Sequence, residues 1–343
     1  MRQSQKPLFA LPGQDLAQIL IHGAADLDSL RGQRLFITGG TGFFGKWLVG
    51  ALCHADSELE LGLHLTVLSR DPAAFLKLYP EVPVISSLRF EQGQVADYAR
   101  EGRYDFLLHA ATDTTAFTTE ADERERSRAI ISGTERMLEL SRKSGVRRFL
   151  NVSSGAVYGT SPGKLTGAVE DDFAAAIPTT AYASAKREAE QRCLDSGLDF
   201  VTARAFAFLG PHLALDAHFA AGNFLRDAIR GGPILVRGDG TALRSYLHPA
   251  DLVVWLLRLL VSGESGRAYN VGSDEVVSTA ELARLMADAV SPAPEVLVQS
   301  LQPQGPQNIY LPNIQRARQE LNLDIWIPLR RAIARTVHFL KAR

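Results

Sequence analysis

Short apolar runs recur along this chain, separated by longer stretches whose apolar residues return every three or four positions. Leu35-Phe36-Ile37, Leu63-His64-Leu65-Thr66-Val67-Leu68, Phe106-Leu107-Leu108 and Phe149-Leu150-Asn151-Val152 are short and nearly continuous, the pattern of strands buried on both faces. The intervening stretches predict helices over residues 43–53, 72–78 and 120–144, with a further strand near 87–90. Ahead of the first strand, Asp15-Leu16-Ala17-Gln18-Ile19-Leu20-Ile21 has the spacing of a short amphipathic helix, read as an extension packed on the main domain. Strands alternating with helices predict an α/β fold, a doubly wound parallel sheet with ligands at the strand C-terminal ends.

Composition narrows the function classes. The length of 343 residues suggests about two domains, or one large α/β domain with an attached lobe. Lysine plus arginine (37) nearly balances aspartate plus glutamate (38), so neither a nucleic acid nor an anionic membrane is expected as partner, and any anion binding must be local. Cys53 and Cys193 are too few and too far apart for a disulfide framework or a metal knuckle, so no metal is expected; packing and a reducing compartment account for them. Residues 1–12 hold no long apolar stretch after a basic start, and the most apolar run, residues 252–261, is too short to cross a bilayer and includes Arg258. A cytoplasmic protein is expected.

The candidate chemistry starts directly after the first strand, at Thr38-Gly39-Gly40-Thr41-Gly42-Phe43-Phe44-Gly45. Glycines at 39, 42 and 45, running from a strand into a helix, suit a nucleotide pyrophosphate held at a helix N-terminus, with Thr41, Phe43 and Phe44 as neighbours in the same loop. Gly39 would make the tight turn, Gly42 would admit the phosphates, and Gly45 would let the helix pack closely. The spacing is GxxGxxG rather than GxGxxG, and such a cluster also occurs in ordinary loops. At the end of the second strand, Arg70 suits the extra phosphate of NADP, whereas an acid there would select NAD; the alternative is a solvated Arg70 with Asp71 as the acid. His109-Ala110-Ala111 falls at another strand end, where small side chains let a cofactor lie close and His109 is read as structural. Farther on, Tyr182 and Lys186 are four residues apart and share one face of a helix, so the ammonium can sit beneath the phenol and favour its ionisation; Ser154 can hydrogen-bond the same substrate oxygen.

Taken together, the glycine loop, His109-Ala110-Ala111, Ser153-Ser154-Gly155-Ala156-Val157-Tyr158-Gly159, Tyr182 with Lys186, and Arg204-Ala205-Phe206-Ala207-Phe208-Leu209-Gly210-Pro211 resemble the extended short-chain dehydrogenase/reductases of the nucleotide-sugar epimerase/dehydratase family, over roughly residues 33–340. The resemblance implies a Rossmann-type domain over residues 33–205 after an extension at 1–32, and a smaller C-terminal α/β substrate-binding lobe over 206–343 with some segments returning to the main domain. It implies Tyr182 as acid/base, Lys186 also on the nicotinamide ribose, and Ser154, with Ser153 as second choice, orienting the reacting oxygen. The lobe would close over a nucleotide-diphosphate sugar using Asn223, Arg237 and Arg244, the alternative being that one of the two arginines, Arg237 before Arg244, makes an internal salt bridge, while Asp251 is read as the cap of the apolar helix after it. A homodimer through helices near 120–144 and 180–195 is also implied.

Three departures bear on the chemistry. Gly155 and Ala156 stand where the family's 4,6-dehydratases carry an acid pair, which disfavours elimination of water. Gln94 replaces an aspartate usual near the adenine, and Ile130 replaces a frequent asparagine. The reading is therefore a reductase that passes a hydride from NADP(H) to a keto group, at C4, of a nucleotide-linked sugar. An epimerase retaining NAD is the alternative, and a 4,6-dehydratase or a non-catalytic dinucleotide-binding protein ranks behind both.

Overall fold

In the computed structural model, which describes residues 11–79, 87–112, 119–159, 165–217, 219–300, 302 and 308–342, the first apolar run becomes the centre of a seven-stranded parallel sheet. β1 (Arg34–Thr38) lies between β2 (His64–Ser69) and β4 (Phe106–His109); β3 (Leu88–Gln92) flanks β2, and β5 (Arg148–Ser154), β6 (Phe200–Ala205) and β9 (Ala268–Val271) continue beyond β4. The chain order reverses between β1 and β4, which opens a crevice at their C-terminal ends. Alternation along β1 explains why both faces are covered. Leu35 and Ile37 enter one core with α1 (Gly13–His22), α2 (Ala24–Ser29), α3 (Phe43–Leu59) and α8 (Pro249–Ser262), while Phe36 turns to the other, with Leu107, Phe149 and residues of α5 (Glu120–Ser144) and α6 (Ala181–Leu194).

Helix ends follow from their caps. α5 starts at a capping box in which Thr119 accepts from the Asp122 amide and Asp122 accepts from the Thr119 amide, and it stops where Gly145 takes φ 71°. α4 (Pro72–Leu78) is capped by Asp71, whose carboxylate accepts from the Ala74 amide at 2.8 Å and is thereby committed locally. α3 runs past its expected end near residue 53 because Ala55 is still buried on the core face, and it ends where Glu60 takes φ 50°. The C-terminal half builds a parallel pair, β7 (Ile234–Val236) with β11 (Val296–Val298), and a three-stranded sheet with β8 (Leu243–Arg244) between β10 (Val277–Ser278) and β12 (Ile309–Tyr310). Helices α7 (Ala220–Arg230), α9 (Thr279–Asp288), α10 (Gln315–Leu321) and α11 (Leu329–Lys341) complete it.

The N-terminal helices are tied down by buried charge. Asp26 of α2 accepts from Arg258 of α8 at 2.8 Å, and Arg258 also donates to the Leu321 carbonyl at 2.7 Å; this is how a helix buried almost all round accommodates an arginine. Asp15 of α1, fully buried, pairs with Arg335 of α11, and the His248 ring lies 3.8 Å away. Asp251 is not the cap expected of it. Pro249 occupies the first helical position, so His248 becomes the cap and accepts from the Ala250 amide at 3.2 Å, while Asp251 points inward and accepts from the amides of Trp326 and Ile327 at 3.1 and 2.9 Å.

Burial pushes the Asp251 carboxyl up to about 7, whereas burial holds His248 down near 3. Because the folded protein binds the Asp251 proton more tightly than the unfolded chain, the stability from that proton is complete below about pH 4 and is lost as pH rises through 7. His248 titrates alike in the parent and in an Asp251 variant, so it cancels from their difference. Unfolding in urea between pH 4.5 and 7 is expected to show the parent losing stability relative to Asp251→Asn, which mimics the protonated acid, by up to about 1.4 kcal/mol per pH unit, with the difference levelling off above pH 7. Parallel profiles between pH 4.5 and 7 would show that Asp251 carries no such proton.

Candidate active site

The crevice between β1 and β4 is formed by residues that leave no room for side chains. Gly39 takes φ 75°, and a β-carbon there would lie 2.7 Å from the Ala110 backbone; one at Gly45 would lie 2.2 Å from the Gly39 carbonyl. Gly42 sits exposed at the N-terminus of α3, beside Thr41 and the first-turn residues Phe43 and Phe44, and the Phe44 ring packs edge-on against Phe208 with centroids 4.7 Å apart. A loop stripped of side chains, opening on free helix N–H groups, fits a dinucleotide pyrophosphate.

Opposite the loop, Thr38 joins the two strand ends: its hydroxyl is 2.8 Å from Nδ1 of His109 and accepts from the Ala111 amide at 3.1 Å. The other ring nitrogen of His109 is 3.3 Å from the Thr134 hydroxyl, and burial together with the Lys186 charge holds the imidazole near 3, hence neutral. His109 is thus a structural residue of the crevice wall, with Ala110 and Ala111 beside it. Arg70 follows β2 on the surface, and its carbonyl accepts from Gln92 at 3.4 Å.

Ser154 ends β5 and caps the 3₁₀ turn Gly155–Tyr158, its Oγ accepting from the Ala156 amide at 3.2 Å. Tyr182 stands in the first turn of α6, which starts at the Thr180 cap. The Ser154 hydroxyl is close enough to the Tyr182 phenol to act on its ionisation. Burial raises the phenol's pKa, and both the Ser154 hydroxyl and the positive charge of Arg126 pull it back. The apolar side of this environment includes Ile130, Ala185 and Ala189, so the isoleucine that replaces a frequent asparagine packs beside Tyr182. Ser153 faces away, its buried hydroxyl without a hydrogen bond among the described residues.

Lys186 differs from the simple picture of an ammonium beneath the phenol. It is buried and donates to the Thr112 hydroxyl at 2.8 Å and the Val152 carbonyl at 2.9 Å; burial lowers it to about 8, with the Glu190 charge working in the opposite direction. Thr112 directly follows the His109-Ala110-Ala111 segment, an adjacency that was its only signal in the sequence. Beneath α6, Arg204 joins Glu190, the Tyr158 hydroxyl and the Glu170 carbonyl at 2.8–3.2 Å, and Tyr158 in turn donates to Asn270 at 2.7 Å. Residues from separate segments of the sequence resemblance thus meet in one buried network.

On the lobe side, Arg244 donates to the carbonyls of Leu243 and Asn308 at 2.7 and 3.0 Å and lies 5.8 Å from the centre of the Tyr310 ring. Arg237 is exposed after β7, and among the described residues neither arginine forms the internal salt bridge that was the alternative for one of them. Asn223 accepts from Arg226 at 3.3 Å on α7. Two further aromatic residues pack here: Phe206, from the 204–211 segment of the sequence resemblance, and Tyr310, which carried no signal in the sequence. A β-carbon on Gly155 would meet the Phe206 ring at 2.7 Å, and that ring packs on Tyr310 with centroids 4.8 Å apart.

Comparison with known proteins agrees with this fold. The UDP-glucuronic acid decarboxylase 1 of Arabidopsis thaliana is 27% identical over 317 residues, covering 90% of this chain and 70% of that protein. A dTDP-glucose 4,6-dehydratase of Streptomyces niveus is 26% identical over 260 residues, covering 73% of this chain and 75% of that protein. Among solved structures, an epimerase from Methanothermobacter thermautotrophicus shares the fold with a TM-score of 0.79 at 21% identity, over 94% of this chain and 96% of that one. Residues 35–272 match the profile of the NAD dependent epimerase/dehydratase family, and the chain belongs to that family of extended short-chain dehydrogenase/reductase enzymes.

Proposed function

We propose that this enzyme interconverts a carbinol and a ketone on a nucleotide-diphosphate sugar, working as a reductase of the keto sugar, at C4, with Tyr182 as proton donor. The observation that carries the reading is the turn after β5: Ser154 presents a hydroxyl near the Tyr182 phenol, while the next two residues bring no carboxylate, and the space a side chain at Gly155 would need is filled by Phe206. Loss of water requires an acid and a base at the neighbouring carbons, and this turn supplies neither. Bound in the glycine-lined crevice, a nicotinamide cofactor supplies the hydride. The chain's own part is then proton chemistry: Ser154 and Tyr182 hold the reacting oxygen, Tyr182 gives it a proton, and Lys186, anchored to Thr112 and Val152, presents a cation beside them. Arg244 and Arg237 are offered for the diphosphate, and Asn223 for the nucleotide-sugar side of the cleft.

The second reading is an epimerase that keeps NAD through both half-reactions; the NAD dependence of the family favours it, whereas Arg70 after β2 favours NADP(H). A homodimer through α5 and α6, which lie side by side on one face of the sheet, accompanies both readings and is measured by light scattering. The deciding experiment denatures the purified protein and identifies the released nucleotide, then offers NADPH and NADH with 4-keto nucleotide sugars. NADPH oxidation dependent on the keto sugar is the expected result. Stoichiometric NAD in the released fraction, with interconversion of C4 epimers and no net reduction, would replace the reductase by the epimerase.

A further inference from the structure

We propose that Thr112 is a positioning residue: its hydroxyl takes one proton of the Lys186 ammonium while the Val152 carbonyl takes a second, so that the third is aimed into the crevice. The proposal rests on the reading of Lys186 as the cation beside the reacting oxygen and adds the group that orients it.

Each hydrogen around Lys186 can be assigned once. The ammonium donates to Thr112 Oγ at 2.8 Å and to the Val152 carbonyl at 2.9 Å. An ammonium has three protons and accepts nothing, so one proton remains, and among the described residues no other group takes it. Thr112 stands just past the end of β4, and Val152 lies two residues before the end of β5. Both acceptors therefore belong to the floor of the crevice, and the remaining proton is left to its open side. Having accepted from Lys186, the Thr112 hydroxyl gives its own proton to the Ala111 carbonyl at 2.8 Å.

The Ala111 peptide is held from its other side as well. Its amide donates to Thr38 Oγ at 3.1 Å, and the Thr38 hydroxyl lies 2.8 Å from Nδ1 of His109. Thr134 settles the direction of that contact. Its hydroxyl donates to the Ile130 carbonyl at 2.9 Å, so its oxygen accepts from Nε2 of His109 at 3.3 Å. The neutral imidazole thus carries its proton on Nε2 and accepts from Thr38 on Nδ1, and the donors run in one sense from the Ala111 amide to α5. Anchored through β1 and α5, residues 111 and 112 present Lys186 with an acceptor of fixed direction. Without the Thr112 hydroxyl, the ammonium has one acceptor for three protons and is free to turn about its Cε–Nζ bond.

The test replaces Thr112 by Val, which keeps the shape and removes the hydroxyl, and by Ser, which keeps the hydroxyl. One measurement needs no substrate. The chain has seven lysines, so labelling lysine Cε with carbon-13 gives few resonances, and the one lost in Lys186→Arg is that of Lys186. Burial sets its midpoint at about 8. Because the hydroxyl accepts only from the charged amine, T112V is expected to lower that midpoint by about one pH unit, and T112S to restore it. The charges facing Lys186 are the same in all three proteins: Glu190 and Cys193 on α6, Arg204 bound to Glu190, Tyr182 one turn earlier and the neutral His109 of β4. With a 4-keto nucleotide sugar, T112V should lower kcat about tenfold and bind reduced cofactor more weakly by a similar factor in fluorescence titrations, at an unchanged melting temperature, with T112S recovering most of both. An unmoved Lys186 midpoint in T112V, a parental kcat, or a loss that T112S does not recover would overturn the proposal. If the parent turns over no nucleotide sugar, the functional reading fails by itself, and the Lys186 midpoint decides the role of Thr112.

Discussion

Tyr182→Phe is expected to lower kcat by about 10²–10⁴, the usual contribution of a positioned general acid, while leaving the fold and cofactor binding intact. The phenol's oxygen is the single group removed, and it lies near the Ser154 hydroxyl at the end of β5. The ring keeps its packing against Ile130, Ala185 and Ala189, so the variant should melt within a few degrees of the parent. Loss of turnover in both hydride directions, with the released nucleotide still present in parental amount, is the result that supports Tyr182 as the proton donor. Undiminished turnover would remove it from the chemistry and leave Lys186, which burial lowers to about 8, as the neighbouring group able to give up a proton near neutral pH.

The second large effect is structural. Arg204→Met is expected to cost about 3–5 kcal/mol of stability, the penalty of leaving a buried ion without its partner. Arg204 and Glu190 are each about 95% buried, and the guanidinium donates to Glu190 through Nε and Nη2 at 2.8–3.2 Å while its other nitrogen reaches Tyr158 and the Glu170 carbonyl. Removing the cation strands the Glu190 carboxylate beneath α6, in the field of Lys186. Pairing the change with Glu190→Gln removes the stranded charge, so the double variant should recover part of the loss, a non-additivity that urea unfolding resolves. A cost below about 1 kcal/mol for Arg204→Met would mean that water reaches Glu190 and that the network does not brace the helix carrying Tyr182 and Lys186.

What the sequence determined by itself was whatever depends on near neighbours along the chain. β1 at residues 34–38, α4 at 72–78 and α5 at 120–144 stand where hydrophobic period and end signals placed them, since Asp71-Pro72, Thr119 and Gly145 each act within one turn of themselves. The glycine loop and the Tyr182/Lys186 spacing were legible for the same reason. The tertiary structure alone decided which distant residues meet. Lys186 takes Thr112 and Val152 rather than the phenol because α6 lies over the ends of β4 and β5, and Asp251 turns to the backbone before α11 because Pro249 and His248 already serve the start of α8. Asp15 meets Arg335 across 320 residues of sequence, and Tyr310 packs on Phe206 from a strand two residues long, too short to leave any periodicity. Local propensity and capping act over about four residues, whereas the partners of a buried charge or hydroxyl are chosen by how the sheet winds and the lobe folds back, and no pattern along the chain encodes that juxtaposition.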